Sequence, residues 1–102
     1  MKIFNKLVRD KIPEIIEAEG RKTKIRILSN EEFRKELNIK LQEEVKEYLE
    51  DNNIEELADI IEVIYGIVDS MDKNVDDLEN IRKEKELKRG SFKKHFYLET
   101  SE

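Results

Sequence analysis

The 102-residue chain contains no cysteine and no tryptophan, one proline, one histidine and three glycines. Each scarcity removes a class of chemistry. Without cysteine there is no disulfide, no thiolate metal site and no thiol nucleophile. His95 alone cannot build a histidine-rich zinc site, and a lone histidine is more often packing or surface than catalytic. Gly20, Gly66 and Gly90 are isolated, so neither a P-loop nor a dinucleotide-binding turn is present. No apolar run approaches the roughly 18 residues of a membrane-spanning helix. Met1–Asp10 is charged throughout and does not read as a signal peptide. The expected location is therefore the cytosol, with no membrane partner.

What the chain does have is charge. Charged residues make up 44% of it against 37% apolar, which gives a single domain of this length a thin core. The apolar residues are clustered and periodic, which argues against disorder. Completion of the core by self-association, as a dimer or tetramer, is the expectation. The net charge of −5 conceals three zones. Residues 1–30 balance to +4, residues 31–79 to −12 and residues 82–94 to +5. An acidic middle between basic ends suits a site for a cation and then a polyphosphate, although solvated helix faces would give the same count. The overall acidity disfavours nucleic acid as a partner.

The periodicity predicts four helices and an all-α bundle. The first opens near Asp10 or Lys11 with Pro13 in its first turn, and Gly20 stops it. Ser29 and Glu32 form a capping box for a second helix from Asn30 to about Asp51. Its apolar stripe is Phe33, Leu37, Leu41, Val45, Tyr48 and Leu49. Asn53 caps a third helix, Ile54 to about Met71, whose apolar arc covers roughly 220° and asks for burial on more than one side. Asn74-Val75-Asp76-Asp77 starts a fourth, ended by Gly90, with Val75, Leu78, Ile81 and Leu87 expected inward. Residues 23–28 alternate basic and β-branched side chains and read as a short strand, and residues 95–98 as a second strand or docked arm.

Four acids stand out against this frame. Glu44 and Glu47, then Glu56 and Asp59, are pairs spaced i, i+3 on consecutive helices. That spacing brings two carboxylates to one side of a helix, roughly 5–6 Å apart at Cβ. In projection Glu44 falls between Phe33 and Leu37, inside the apolar stripe, where a carboxylate needs a cation or hydrogen bonds. With thiolate and imidazole excluded, an oxygen-ligated Mg²⁺ or Mn²⁺ fits best. The competing explanation is that acids are abundant and Glu56 is an N3 capping glutamate. Cations available for a phosphate are Lys6, Arg9 and Lys11 at one end and Lys88 and Arg89 at the other, each of them by default an exposed surface charge.

The run Lys40-Leu-x-Glu43-Glu44-x-x-Glu47, followed by Glu56-Leu-Ala-Asp59, resembles the EExxE…ExxD signature of the all-α, MazG-like nucleoside triphosphate pyrophosphohydrolases. Asn5-Lys6-Leu7-Val8-Arg9-Asp10-Lys11-Ile12-Pro13 and Arg89-Gly90-Ser91-Phe92 are similar to the small single-domain, house-cleaning branch. The resemblance spans almost the whole chain. It implies Mg²⁺-dependent cleavage of the α–β phosphate bond of a nucleotide, yielding the monophosphate and pyrophosphate. Carried onto this chain, it makes Glu44, Glu47, Glu56 and Asp59 the metal ligands and lets Lys40 contact a phosphate or balance the acids. Glu47 or Glu43 is then the candidate base that orients the attacking water. The sequence departs from the pattern twice, in the short gap of eight residues between Glu47 and Glu56 and in Ser91 where a second glycine is common. Two alternatives stay open: a phosphoribosyl-ATP pyrophosphohydrolase of histidine synthesis, and a non-catalytic helical interaction module.

Overall fold

Local start and stop signals divide the chain into α1 (Ile12–Ala18), α2 (Asn30–Asp51), α3 (Ile54–Ser70) and α4 (Val75–Arg89). The computed structural model describes residues 2–102. Pro13 sits in the first turn of α1, where its missing N–H breaks no helical bond. Ser29 and Glu32 close the expected capping box on α2, and Asn74 and Asp77 close a second one on α4. Asn52 ends α2 in the left-handed region, and Asn53 Oδ1 then accepts from the Glu56 N–H to begin α3. Two consecutive asparagines thus supply both the C-cap and the N-cap of a tight reversal. Gly90 has φ +83, a conformation that side chains disfavour, and terminates α4.

The reversal makes α2 and α3 an antiparallel pair, the principal packing unit of the chain. Its buried apolar residues are Leu37, Val63 and Val68. Gly66 leaves room for the Leu37 side chain, whose Cδ2 lies 3.0 Å from where a Cβ on residue 66 would stand. At the far end the α3 C-terminus is tied to the start of α2. Asn30 Nδ2 and Arg34 Nη2 both donate to the Ser70 carbonyl at 2.9 Å, and Arg34 Nε donates to Ser70 Oγ at 3.0 Å. A guanidinium on terminal carbonyls satisfies groups the helix cannot, and it opposes the negative end of the helix dipole.

Several expectations need correction. No strand forms among the described residues. Residues 23–28 form no regular element, since a strand without a partner has no ladder to join. Residues 95–98 are likewise unpaired and exposed, with a turn at Phe92–His95 just before them. On α2 the inward stripe is narrower than periodicity suggested, since Val45 is exposed and Leu49 is 66% exposed. On α4, Val75, Ile81 and Leu87 are exposed, and past Glu79 the whole helix faces solvent. The molecule is correspondingly long, 62 × 32 × 22 Å, with a radius of gyration of 18.1 Å. A compact chain of this length has roughly 13 Å. Among the described residues no helix is long and apolar enough to cross a membrane.

Candidate metal centre

The register of the α2–α3 pair brings the acids together. From the Leu37–Gly66 contact, two turns forward along α2 reach Glu44, and two turns back along α3 reach Asp59. One more turn on each helix reaches Glu47 and Glu56. One carboxylate oxygen each from Glu44, Glu56 and Asp59 lies within 4.8 Å of the others. Oxygens bound to one Mg²⁺ at 2.0–2.1 Å stand at most about 4.2 Å apart. Small side-chain adjustments would therefore close the group on an ion.

Burial gives this cluster its character. Glu44 is only 8% exposed, and its Oε2 has no hydrogen-bond partner. Glu56 Oε2 is also buried and unpartnered. The Glu56 side chain therefore leaves the capping to Asn53, although its backbone holds the N3 position. Loss of water pushes the Glu44 carboxyl above its ordinary range, and the neighbouring Glu47 carboxylate raises it further. Lys40 pulls in the opposite direction but does not prevail. Burial also raises Glu56, followed by the charges of Glu47, Asp51, Asp59 and Glu44. Two buried carboxylate oxygens without donors, in a nest of like charge, have the donor chemistry of a hard divalent cation site. Glu47 stands beside both raised acids, close enough for its charge to oppose their ionisation.

The cations expected near the site divide into two groups. Arg9 arrives from the non-helical N-terminal segment, and its Nη2 lies 2.7 Å from Asp59 Oδ1. Lys40, one turn before Glu44, spans Glu43 Oε2 at 3.5 Å and Glu44 Oε1 at 3.7 Å. Glu43 is thereby paired with Lys40 and half exposed, while Glu47, also exposed and outside the three converging acids, lies near enough to raise Glu44. The other candidates are not joined to the acids by any described contact. Lys6 lies over the Phe4 ring, Lys11 precedes α1, and Lys88 pairs with Glu84 on the exposed length of α4, beside Arg89.

Three structural residues escaped the sequence reading. Asn30 and Arg34 gave no cue that they would bind the end of another helix. Gly66 did carry one, a glycine in an otherwise apolar helix, which commonly has a packing reason.

No family model matches the chain, and no solved structure matches it. It is similar to an uncharacterized protein of Mycolicibacterium smegmatis (strain ATCC 700084 / mc(2)155), 56% identical over 41 residues. That similarity covers 40% of this chain and 42% of the relative, so the chain matches less than half the length of the curated relative.

Proposed function

We propose that the chain is a Mg²⁺-dependent nucleotide pyrophosphohydrolase, which hydrolyses the α–β phosphate bond of a nucleoside triphosphate to the monophosphate and pyrophosphate. The observation that carries this reading is the convergence of Glu44, Glu56 and Asp59, with buried, unpartnered oxygens on the first two. These three acids, with Glu47 beside them, would hold the cation. Mg²⁺, or Mn²⁺ in its place, would offset charge on the phosphates and lower the pKa of a bound water.

The chain's own residues have distinct tasks in this scheme. Glu47 is the better candidate for orienting the attacking water, because its charge reaches both Glu44 and Glu56 while Glu43 is engaged by Lys40. Lys40 offsets part of the acidic charge from one turn away. Arg9 is the phosphate contact nearest the acids. A homo-oligomer, dimer or tetramer, is part of the proposal. The chain exposes 9840 Å², whereas a 12.2 kDa monomer is expected to expose about 6,000 Å². The side of α3 opposite its acids carries exposed Leu57, Ile61 and Tyr65. A second copy covering that face would remove these apolar side chains from water.

The test is pyrophosphate release from a panel of nucleoside triphosphates and phosphoribosyl-ATP, with and without Mg²⁺. The proposal expects Mg²⁺-dependent release that is lost in Glu44→Gln and Asp59→Asn variants retaining the helical fold. Unchanged activity in either variant refutes the assignment.

A further inference from the structure

Arg9 and Lys40 both touch the acidic cluster, but they are held differently. Lys40 is on α2 itself, three and four residues from its partners, and it moves with them. Arg9 comes from the non-helical segment 2–10, fifty residues from Asp59 in sequence, and meets it through one guanidinium nitrogen. Both side chains are substantially exposed, 57% for Arg9 and 43% for Asp59. Exposed ion pairs are held weakly and exchange readily.

Asp59 is also one of the three residues whose carboxylate oxygens converge. Arg9 occupies Asp59 Oδ1, and a divalent cation engaging the same carboxylate would repel the guanidinium and weaken its hold. A guanidinium turned away from Asp59 would remain at the rim of the cluster. Its planar fork of five N–H donors matches the oxygens of a phosphate.

We propose that Arg9 is an exchanging residue, paired with Asp59 until a divalent cation engages that carboxylate, and then turned toward the phosphates of the incoming polyphosphate. The inference rests on the reading of the acids as a metal site. Divalent cation and polyphosphate binding become mutually reinforcing through Arg9, and that coupling is reciprocal. Metal loading without substrate is opposed by Arg9, and phosphate binding without metal is opposed by Asp59.

Two measurements test this without reference to turnover. In the first, Mn²⁺ is titrated into the wild type, Arg9→Ala and Arg21→Ala, with free Mn²⁺ followed by electron paramagnetic resonance. Arg21 pairs with Glu19 on the surface and serves as the charge control. Arg9→Ala should bind Mn²⁺ several-fold more tightly than the wild type, while Arg21→Ala should match it. In the second, the side-chain Nε–Hε resonance of Arg9, assigned by its loss in Arg9→Ala, is followed by NMR. It should shift on saturation with Mg²⁺ and shift again on addition of magnesium triphosphate, an inorganic probe without a base. Equal or weaker Mn²⁺ affinity in Arg9→Ala overturns the exchange, as does an Arg9 resonance indifferent to Mg²⁺ or to the triphosphate. Absence of saturable Mn²⁺ binding in the wild type overturns the metal site itself, and the inference with it.

Discussion

Leu37 of α2 presses against Gly66 of α3, with its Cδ2 3.0 Å from the place a Cβ would occupy. The contact lies seven residues from Glu44 along α2 and seven from Asp59 along α3, in register with the acids. Replacing Gly66 by Ala adds helix propensity of about 1 kcal/mol but must displace the tip of Leu37, so the net change should be small. Gly66→Leu has no such compensation. It should lower stability by about 1–3 kcal/mol and weaken Mn²⁺ binding two turns away. Denaturant unfolding and metal titration of the same variant check both effects.

Glu44 is costly to the metal-free protein. Its buried carboxyl is opposed by Glu47, and Lys40 compensates only in part. Glu44→Gln should stabilise the metal-free fold by about 1 kcal/mol while removing the stabilisation that Mg²⁺ confers on the wild type. Melting curves with and without Mg²⁺ read both effects.

The raised carboxyls fix a sign for the pH dependence. A carboxyl raised in the folded state binds its proton more tightly there than in the unfolded chain. The metal-free protein should therefore gain stability as pH falls through the raised range of Glu44 and Glu56 toward the ordinary value of 4.5. Glu32 and Glu79 are lowered instead, chiefly by hydrogen bonds from Ser29 and from Arg82 respectively. Their contribution is lost only as pH falls further, below 4.5. Metal binding competes with protonation of Glu44 and Glu56, so Mg²⁺ affinity should rise with pH across the same window. Thermal melts from about pH 7 to about pH 5, with and without Mg²⁺, should slope in opposite directions.

Arg34 ties the two helices together away from the acids. It binds the end of α3 through Ser70, which is 2% exposed, at the opposite end of the pair from the acids. Arg34→Ala should cost about 1–3 kcal/mol, because Ser70 Oγ loses its donor and the Ser70 carbonyl keeps only Asn30. Mn²⁺ affinity at fixed temperature should be unchanged.

Self-association is open to direct measurement. Exposed Leu57, Ile61 and Tyr65 on α3 should be covered by a second copy. Sedimentation should give a dimer or tetramer, and Ile61→Lys, a charge placed on that face, should shift it toward monomer.

Legibility in the sequence followed the range of the forces. Caps are local, and Ser29, Asn53, Asn74 and Gly90 marked the helix boundaries almost to the residue. The burial of Glu44 was also legible, because helical projection places it among apolar neighbours of the same face. Solvent exposure of Ile81 and Leu87 was not, since apolar spacing shows that a face seeks cover without showing that the same chain supplies it. The alternation at residues 23–28 failed for a related reason, as strand character requires a neighbouring strand that periodicity does not reveal. Arg34 on Ser70 and Arg9 on Asp59 link residues 36 and 50 positions apart, and no local rule reaches that far.

The central claim is that buried, donorless oxygens of Glu44 and Glu56 converge with Asp59 to hold a divalent cation. Calorimetric titration of Mn²⁺ into the wild type and Glu56→Gln, each in two buffers of different ionisation enthalpy, addresses it most directly. The account predicts saturable binding in the wild type, with proton release that grows as pH falls toward 4.5, and much weaker binding with less proton release in the variant. Heats that never saturate, or identical isotherms for the two proteins, would contradict it.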